Sequence, residues 1–190
     1  MKRRIAILSL GAFGSVFAIG SLASGAVAPI GGSPGSPYYQ PSACGNQTVN
    51  GLALQGDSAD DTIPGTALRD LLRGGGGDDK IYGKASDDCV VGQDGDDKVN
   101  GGSSDDRVSG GGGDDKLRGG SGNDKMTGGA GTDKLRGGSG DDDLFGGPGN
   151  DKLFAGSGVD LLNCGPGQDV AVASSEDIVK PNCETVHIRG

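Results

Sequence analysis

A chain of 190 residues with 4% aromatic residues, no Trp and 41 Gly cannot supply an ordinary globular core, which leaves a repeat architecture or disorder. Its formal charge of −9 disfavours nucleic acid as a partner and invites cations.

The chain opens with a basic start at Lys2, Arg3 and Arg4, an apolar, small-residue run from Ile5 to Leu22, and an A-x-A signal at Ala26-Val27-Ala28. This three-part layout predicts a secretory leader over residues 1–28 and places the mature chain outside the cell. The run is short, contains Gly and Ser, and ends at a cleavage signal, which argues against a membrane anchor. No membrane span is expected once the leader is gone. No Cys follows the run, so a lipid anchor is not supported. Removal of the leader leaves 14 Lys and Arg against 26 Asp and Glu, a balance of −12.

Residues 29–55 read as a linker and N-terminal arm. Pro29, Pro34, Pro37 and Pro41 stand among Gly and Ser, and Val49 to Leu54 alternates enough to predict a first covering strand. From Gly56 to Val172 a nine-residue frame runs through 13 rows without an insertion. A clear row is Gly74-Gly75-Gly76-Gly77-Asp78-Asp79-Lys80-Ile81-Tyr82. Column six is Asp in every row: Asp61, Asp70, Asp79, Asp88, Asp97, Asp106, Asp115, Asp124, Asp133, Asp142, Asp151, Asp160 and Asp169. Column eight is aliphatic, from Ile63 and Leu72 to Leu162 and Ala171. Columns one, two and four are Gly in most rows.

The pattern G-G-x-G-x-D-x-U-x, with U a large aliphatic residue, resembles the RTX (hemolysin-type) calcium-binding nonapeptide repeat over about 117 of 190 residues. The resemblance implies an all-β, right-handed parallel β-roll over 56–172. Two rows then form one coil of 18 residues, and coils stack at roughly 4.8 Å. Column six of alternate rows is thereby brought together, Asp79 beside Asp97 and Asp88 beside Asp106. Carboxylates at that spacing repel unless a cation lies between them. Calcium suits the gap because it accepts six to eight oxygens at ~2.3–2.6 Å from carboxylates and carbonyls.

In the family each ion is held by Asp side chains and turn carbonyls of two neighbouring turns. Carried over, the ligands are Asp79, Asp88, Asp97, Asp106, Asp115, Asp124, Asp133, Asp142, Asp151 and Asp160. The accompanying turn glycines are Gly74, Gly75, Gly77, Gly92, Gly95, Gly110, Gly111, Gly113, Gly119, Gly120, Gly122, Gly128, Gly129, Gly131, Gly137, Gly138, Gly140, Gly146, Gly147 and Gly149. Asp61, Asp70 and Asp169 are weaker candidates, because Ala59 and Leu68 replace glycines in the first rows and Ala155 and Cys164 do so in the last. Ser86 and Ser104 interrupt column four in between. Gaps between turns cap the count at 11 ions. Extracellular modules bind such ions at about 10⁻⁴–10⁻³ M. Glycine-rich rows bury one aliphatic residue each, too little to order nine backbone residues, so the metal-free chain is expected to be largely disordered. The N-terminal leader departs from the C-terminal, uncleaved signal usual in the family, which favours general secretion.

Residues 173–190 leave the frame, with apolar pieces at Ile178-Val179 and Val186-His187-Ile188, and read as a terminal cap. Cys44, Cys89, Cys164 and Cys183 lack C-x-x-C spacing. In an exported chain they read as disulfides with three possible pairings, of which Cys164–Cys183 and Cys44–Cys89 are favoured. An enzyme is not expected: the sole His is His187, and no H-E-x-x-H, G-x-S-x-G or G-K-[ST] motif is present.

One outward column carries Lys80, Lys98, Lys116, Lys134 and Lys152, with Arg118 and Arg136 two residues beyond the third and fourth. Such a ladder could dock an acidic polysaccharide or cell surface, as similar rolls attached to alginate-modifying enzymes do. The plainer expectation is that these cations solubilise the strands and offset the aspartates. Thr and Asn are too scattered in these columns for an ice-binding ladder.

Overall fold

The computed structural model describes residues 28–29, 44 and 49–189, and every regular element among them is a β-strand. The expected leader up to residue 27 and most of the linker lie outside the described residues. In chain order the strands are β1 (Ala28–Pro29), β2 (Ala53–Gln55), β3 (Thr62–Pro64), β4 (Leu71–Gly76), β5 (Lys80–Ala85) and β6 (Cys89–Asp94). Next come β7 (Lys98–Ser103), β8 (Arg107–Gly112), β9 (Lys116–Ser121), β10 (Lys125–Ala130), β11 (Lys134–Ser139) and β12 (Asp143–Phe145). The last are β13 (Lys152–Ser157), β14 (Leu161–Asn163), β15 (Val170–Ser174), β16 (Ile178–Val179) and β17 (Thr185–Arg189).

The chain alternates between two sheets. β1 and the even strands form a nine-stranded sheet, and the remaining odd strands an eight-stranded one, giving about eight coils of a parallel β-solenoid. Within the repeats the register is one coil of 18: Val99 pairs with Leu117 and Leu117 with Leu135. Among the described strands only β1 runs antiparallel, Ala28 opposite Gln55 and Pro29 opposite Leu54, a pairing that straddles the expected cleavage point. Column eight fills the space between the sheets. From Ile63 to Ala171 each of its residues is at most 2% exposed.

Most strands are longer than the frame alone suggests. The expectation is a three-residue x-U-x strand and a six-residue turn. In the structure the first three columns of the next row prolong the strand to x-U-x-G-G-x, and only G-x-D remains as the turn. Column eight and column-one Gly both face inwards, as Ile81 and Gly83 do in β5. Two inward positions per strand widen the flat part of each coil. β12 and β14 stop after three residues because column three holds Pro148 and Pro166, which have no N–H to give a ladder.

Both ends depart from the plain repeat. The covering strand expected over Val49–Leu54 is β2, shifted to Ala53–Gln55, where Leu54 pairs with Leu72. The C-terminal segment closes the roll by extending both sheets with shorter steps. Leu161 pairs with Ile178 and Val170 with Thr185, 17 and 15 residues apart. Cys164–Cys183 fastens this segment with a Cα–Cα distance of 5.2 Å, and Cys44–Cys89 fastens the arm to β6 at 5.6 Å.

Candidate metal centre

Each turn is shaped by glycines serving two different ends. Gly111 and Gly113, columns two and four, have φ of 132° and 121°, which L side chains rarely adopt. Gly110, column one, is glycine for space: a β-carbon there would lie 2.0 Å from Asp115 Oδ2 and 2.6 Å from the Gly128 carbonyl oxygen. The carboxylate oxygen and a carbonyl from the next coil thus border the same small volume.

The column-six aspartates form one ladder along each edge of the roll. In every step from Asp61–Asp79 to Asp151–Asp169, the backbone N–H of one Asp donates to Oδ1 of the Asp one coil later, at 2.7–2.9 Å. That bond fixes the side chain inwards, and from Asp70 to Asp169 these residues are at most 2% exposed. Their other oxygen is what stands out chemically. Oδ2 of Asp79, Asp88, Asp97, Asp106, Asp115, Asp124, Asp133, Asp142, Asp151, Asp160 and Asp169 is buried and has no hydrogen-bond partner.

Buried, unpaired carboxylate oxygens are costly. Burial pushes Asp79, Asp88, Asp115 and Asp142 up to about 7, and Asp106 to about 8. Asp97, Asp124 and Asp151 rise to about 6 for the same reason, and Asp133 and Asp160 also rise. The ladder N–H opposes the rise, and neighbouring carboxylates mostly add to it. For Asp106 these are Asp124, Asp88 and Asp87.

An oxygen-loving cation fits this donor set. Among the described residues no group of three His, Cys, Asp or Glu side chains converges on one point, so turn carbonyls must supply much of any coordination shell. Carbonyls plus a few carboxylates, with no nitrogen or sulfur, favour calcium over zinc.

The three weaker candidates separate. Asp169 has an orphaned Oδ2 like the middle residues. In the first two rows the second oxygen is met by the protein itself. Asp61 Oδ2 accepts the N–H of Asp57 at 3.1 Å, and Asp70 Oδ2 accepts the N–H of Thr66 at 2.5 Å and its hydroxyl at 3.1 Å.

Two acids outside the frame extend the ladders. The Asp160 N–H donates to Asp177 Oδ1 at 2.9 Å, and the Asp169 N–H to Glu184 Oε2 at 2.8 Å. Strict counting by nines passes over them. The surviving signal is local, since Asp177-Ile178-Val179 and Glu184-Thr185-Val186 keep an acid two places before an aliphatic residue. A second ladder, in column five, was also hidden. Asp78, Asp96 and Asp114 each accept through Oδ1 from the N–H one coil later, at 2.7–3.0 Å, opposite in sense to column six and exposed to solvent.

Matches to the RTX calcium-binding nonapeptide repeat cover residues 55–88, 64–99, 91–126, 100–135, 127–162 and 136–171, so that together they span 55–171. The chain belongs to this family. No curated protein matches the chain. In RTX terms, the orphaned oxygens fall on the aspartate of every row from the third to the thirteenth. The lysines stand apart from these edges. Lys80, Lys98, Lys116, Lys134 and Lys152 are successive register partners on the outer face of the odd-strand sheet, and Arg118 pairs with Arg136. Lys134 and Arg136 lie over Phe154, 5.4 and 5.0 Å from the ring centroid. The opposite face, through Leu71, Cys89, Arg107, Lys125, Asp143 and Leu161, is mixed. His187 is exposed on β17, and no helix among the described residues is long and apolar enough to cross a membrane.

Proposed function

We propose that this RTX chain is an exported, non-enzymatic calcium-binding protein whose roll is folded and held by ions between stacked turns. The observation that carries this reading is the row of buried Oδ2 atoms without a donor, bordered by turn carbonyls. An ion bound only by the folded state stabilises that state, and binding that completes a site missing from the unfolded chain is itself folding free energy. Residues 1–28 fit a leader for general secretion, consistent with two disulfides. Calcium titration by calorimetry, with far-ultraviolet circular dichroism in a chelator, tests the proposal. The expected result is binding of several ions in the weak extracellular range and loss of strand signal without them. A chelated spectrum equal to the calcium-loaded one would defeat it.

The in-register lysine ladder favours a second use, docking of an acidic polysaccharide on the odd-strand face. Five cations spaced by one strand, roughly 4.8 Å apart, face a polyanion along its length. Changing Lys98, Lys116 and Lys134 to Ser should then abolish retention on acidic glycans while leaving calcium binding intact. Absence of any glycan binding by the unaltered protein ends this reading.

A further inference from the structure

We infer that calcium occupies only the gaps flanked by orphaned carboxylates, and that the first two turns and the turn at Asp177 are metal-free counterparts in which a backbone N–H takes the place of the ion. This assignment rests on the calcium reading above and refines it residue by residue. In the turns from Asp79 to Asp169 column two is Gly, Lys84 or Gln93, and the second carboxylate oxygen is buried without a partner. In the outer turns a protein donor reaches that same oxygen. Asp57 N–H serves Asp61, Thr66 N–H and hydroxyl serve Asp70, and Ser174 N–H serves Asp177 at 2.6 Å.

The difference follows from backbone shape. Column two carries positive φ at Gly75, Lys84, Gln93, Gly102 and Gly111, but not at Asp57 or Thr66. Where φ is positive the carboxylate receives no N–H from its own turn. Where it is not, the N–H points at the acid. The sign of φ in column two therefore decides between an ion and a hydrogen bond. Asp70, at 1% exposed, shows that the second solution works at full burial.

Orphaned carboxylates bound five gaps along the edge from Asp79 to Asp169 and four along the edge from Asp88 to Asp160, nine in all. The N-terminal coil should then persist without calcium. It carries satisfied carboxylates, buried Ile63 and Leu72, and β4 next to the strand held by Cys44–Cys89.

The test uses the full chain and calcium alone. Asp70→Asn should leave the calorimetric ion count unchanged, whereas Asp124→Asn should lower it by at least one. In chelator, hydrogen exchange should keep β2–β4 protected while β9–β11 exchange freely. Should Asp70→Asn fail to fold, the double change Thr66→Gly and Leu68→Gly decides the matter. It restores both turn glycines and should add one ion. Loss of an ion in Asp70→Asn, an unchanged count in the double variant, or equal exposure of β2–β4 and β9–β11 in chelator would each overturn the assignment while leaving the calcium reading in place. No calcium uptake by the unaltered chain would remove both.

Discussion

Residues 110–149 and residues 83–104 build the same turn from different material. In the first stretch columns two and four are glycine throughout, with φ from 114° to 151°. In the second, Lys84, Ser86, Gln93 and Ser104 take four of these places at φ of 74–94°, closer to the left-handed helical value near +57°. The backbone rotates enough to admit a β-carbon, yet the register holds, with Lys84 opposite Gly102 and Gln93 opposite Gly111. The carboxylates barely notice. Asp88, Asp97 and Asp106 stand at about 7, 6 and 8, against about 7, 6, 7 and 6 for Asp115, Asp124, Asp142 and Asp151. The environment of the acids is set by the column-six ladder. Glycine in columns two and four governs how easily the backbone reaches that geometry.

Column one should be far less forgiving, because there the obstacle is a neighbouring carboxylate and carbonyl. Within residues 110–149, where column one is glycine in every row and only the last two rows of the frame carry Ala155 and Cys164 there, Gly110→Ala is expected to destabilise the calcium-loaded roll by about 3 kcal/mol and to weaken the ion site beside Asp115. Gly112→Ala, two residues on, should do neither, since its β-carbon would meet nothing closer than Asp94 Oδ1 at 3.9 Å. Urea midpoints and ion counts of the two variants compare a filled position with an open one in a single turn. Equal effects would show that space at column one is not what excludes a side chain.

A smaller effect bears on both stretches at once. In the metal-free roll each raised carboxylate holds its proton more tightly folded than unfolded, where the ordinary value is about 3.9. Stability from these groups is therefore fully present below about pH 4 and is lost as pH rises through 6 to 8. In chelator, strand signal should grow as pH is lowered from 8 towards 4, protons standing in for calcium. Calcium binding should run the other way and weaken over the same window. Because the two stretches share this chemistry, exchange protection should return in both together. Recovery in 110–149 alone would show that the carboxylates of the two stretches differ after all.

Much of this was legible in the sequence because nine divides the coil evenly. A period held for 13 rows fixes sheet partner, inward column and ladder position together, so Asp79 beside Asp97 and Leu117 beside Leu135 follow from counting. What counting missed lies where the step changes. Asp177 and Glu184 come 17 and 15 residues after their ladder partners. At the other end Leu54 keeps the step of 18 to Leu72, but Leu52 stands where the frame would place an acid. Strand length was misjudged because a glycine run reads as turn, although an inward column-one Gly can continue a strand. The separation of Asp61 and Asp70 from Asp79 depends on where one N–H points. That is a property of φ in column two, and residue type does not reveal it, since Lys84 and Gln93 keep positive φ without being glycine.

The smallest effect returns to the turns without glycine. Gln93 holds φ of 94°, and its Oε1 is buried without a partner. Gln93→Gly removes a left-handed penalty of about 1–2 kcal/mol, offset by about 0.5–1 kcal/mol of extra chain entropy in the unfolded state. It also removes an unsatisfied buried acceptor. A net gain of about 1 kcal/mol is expected in the urea midpoint of the calcium-loaded protein. Ser86→Gly should come out close to neutral, because the Ser86 hydroxyl donates to the Ala67 carbonyl at 3.0 Å and that bond is lost with the strain. Should Gln93→Gly destabilise the roll, the side chain at 93 would have to contribute more than its backbone strain costs, and the two stretches would differ in packing as well as in backbone.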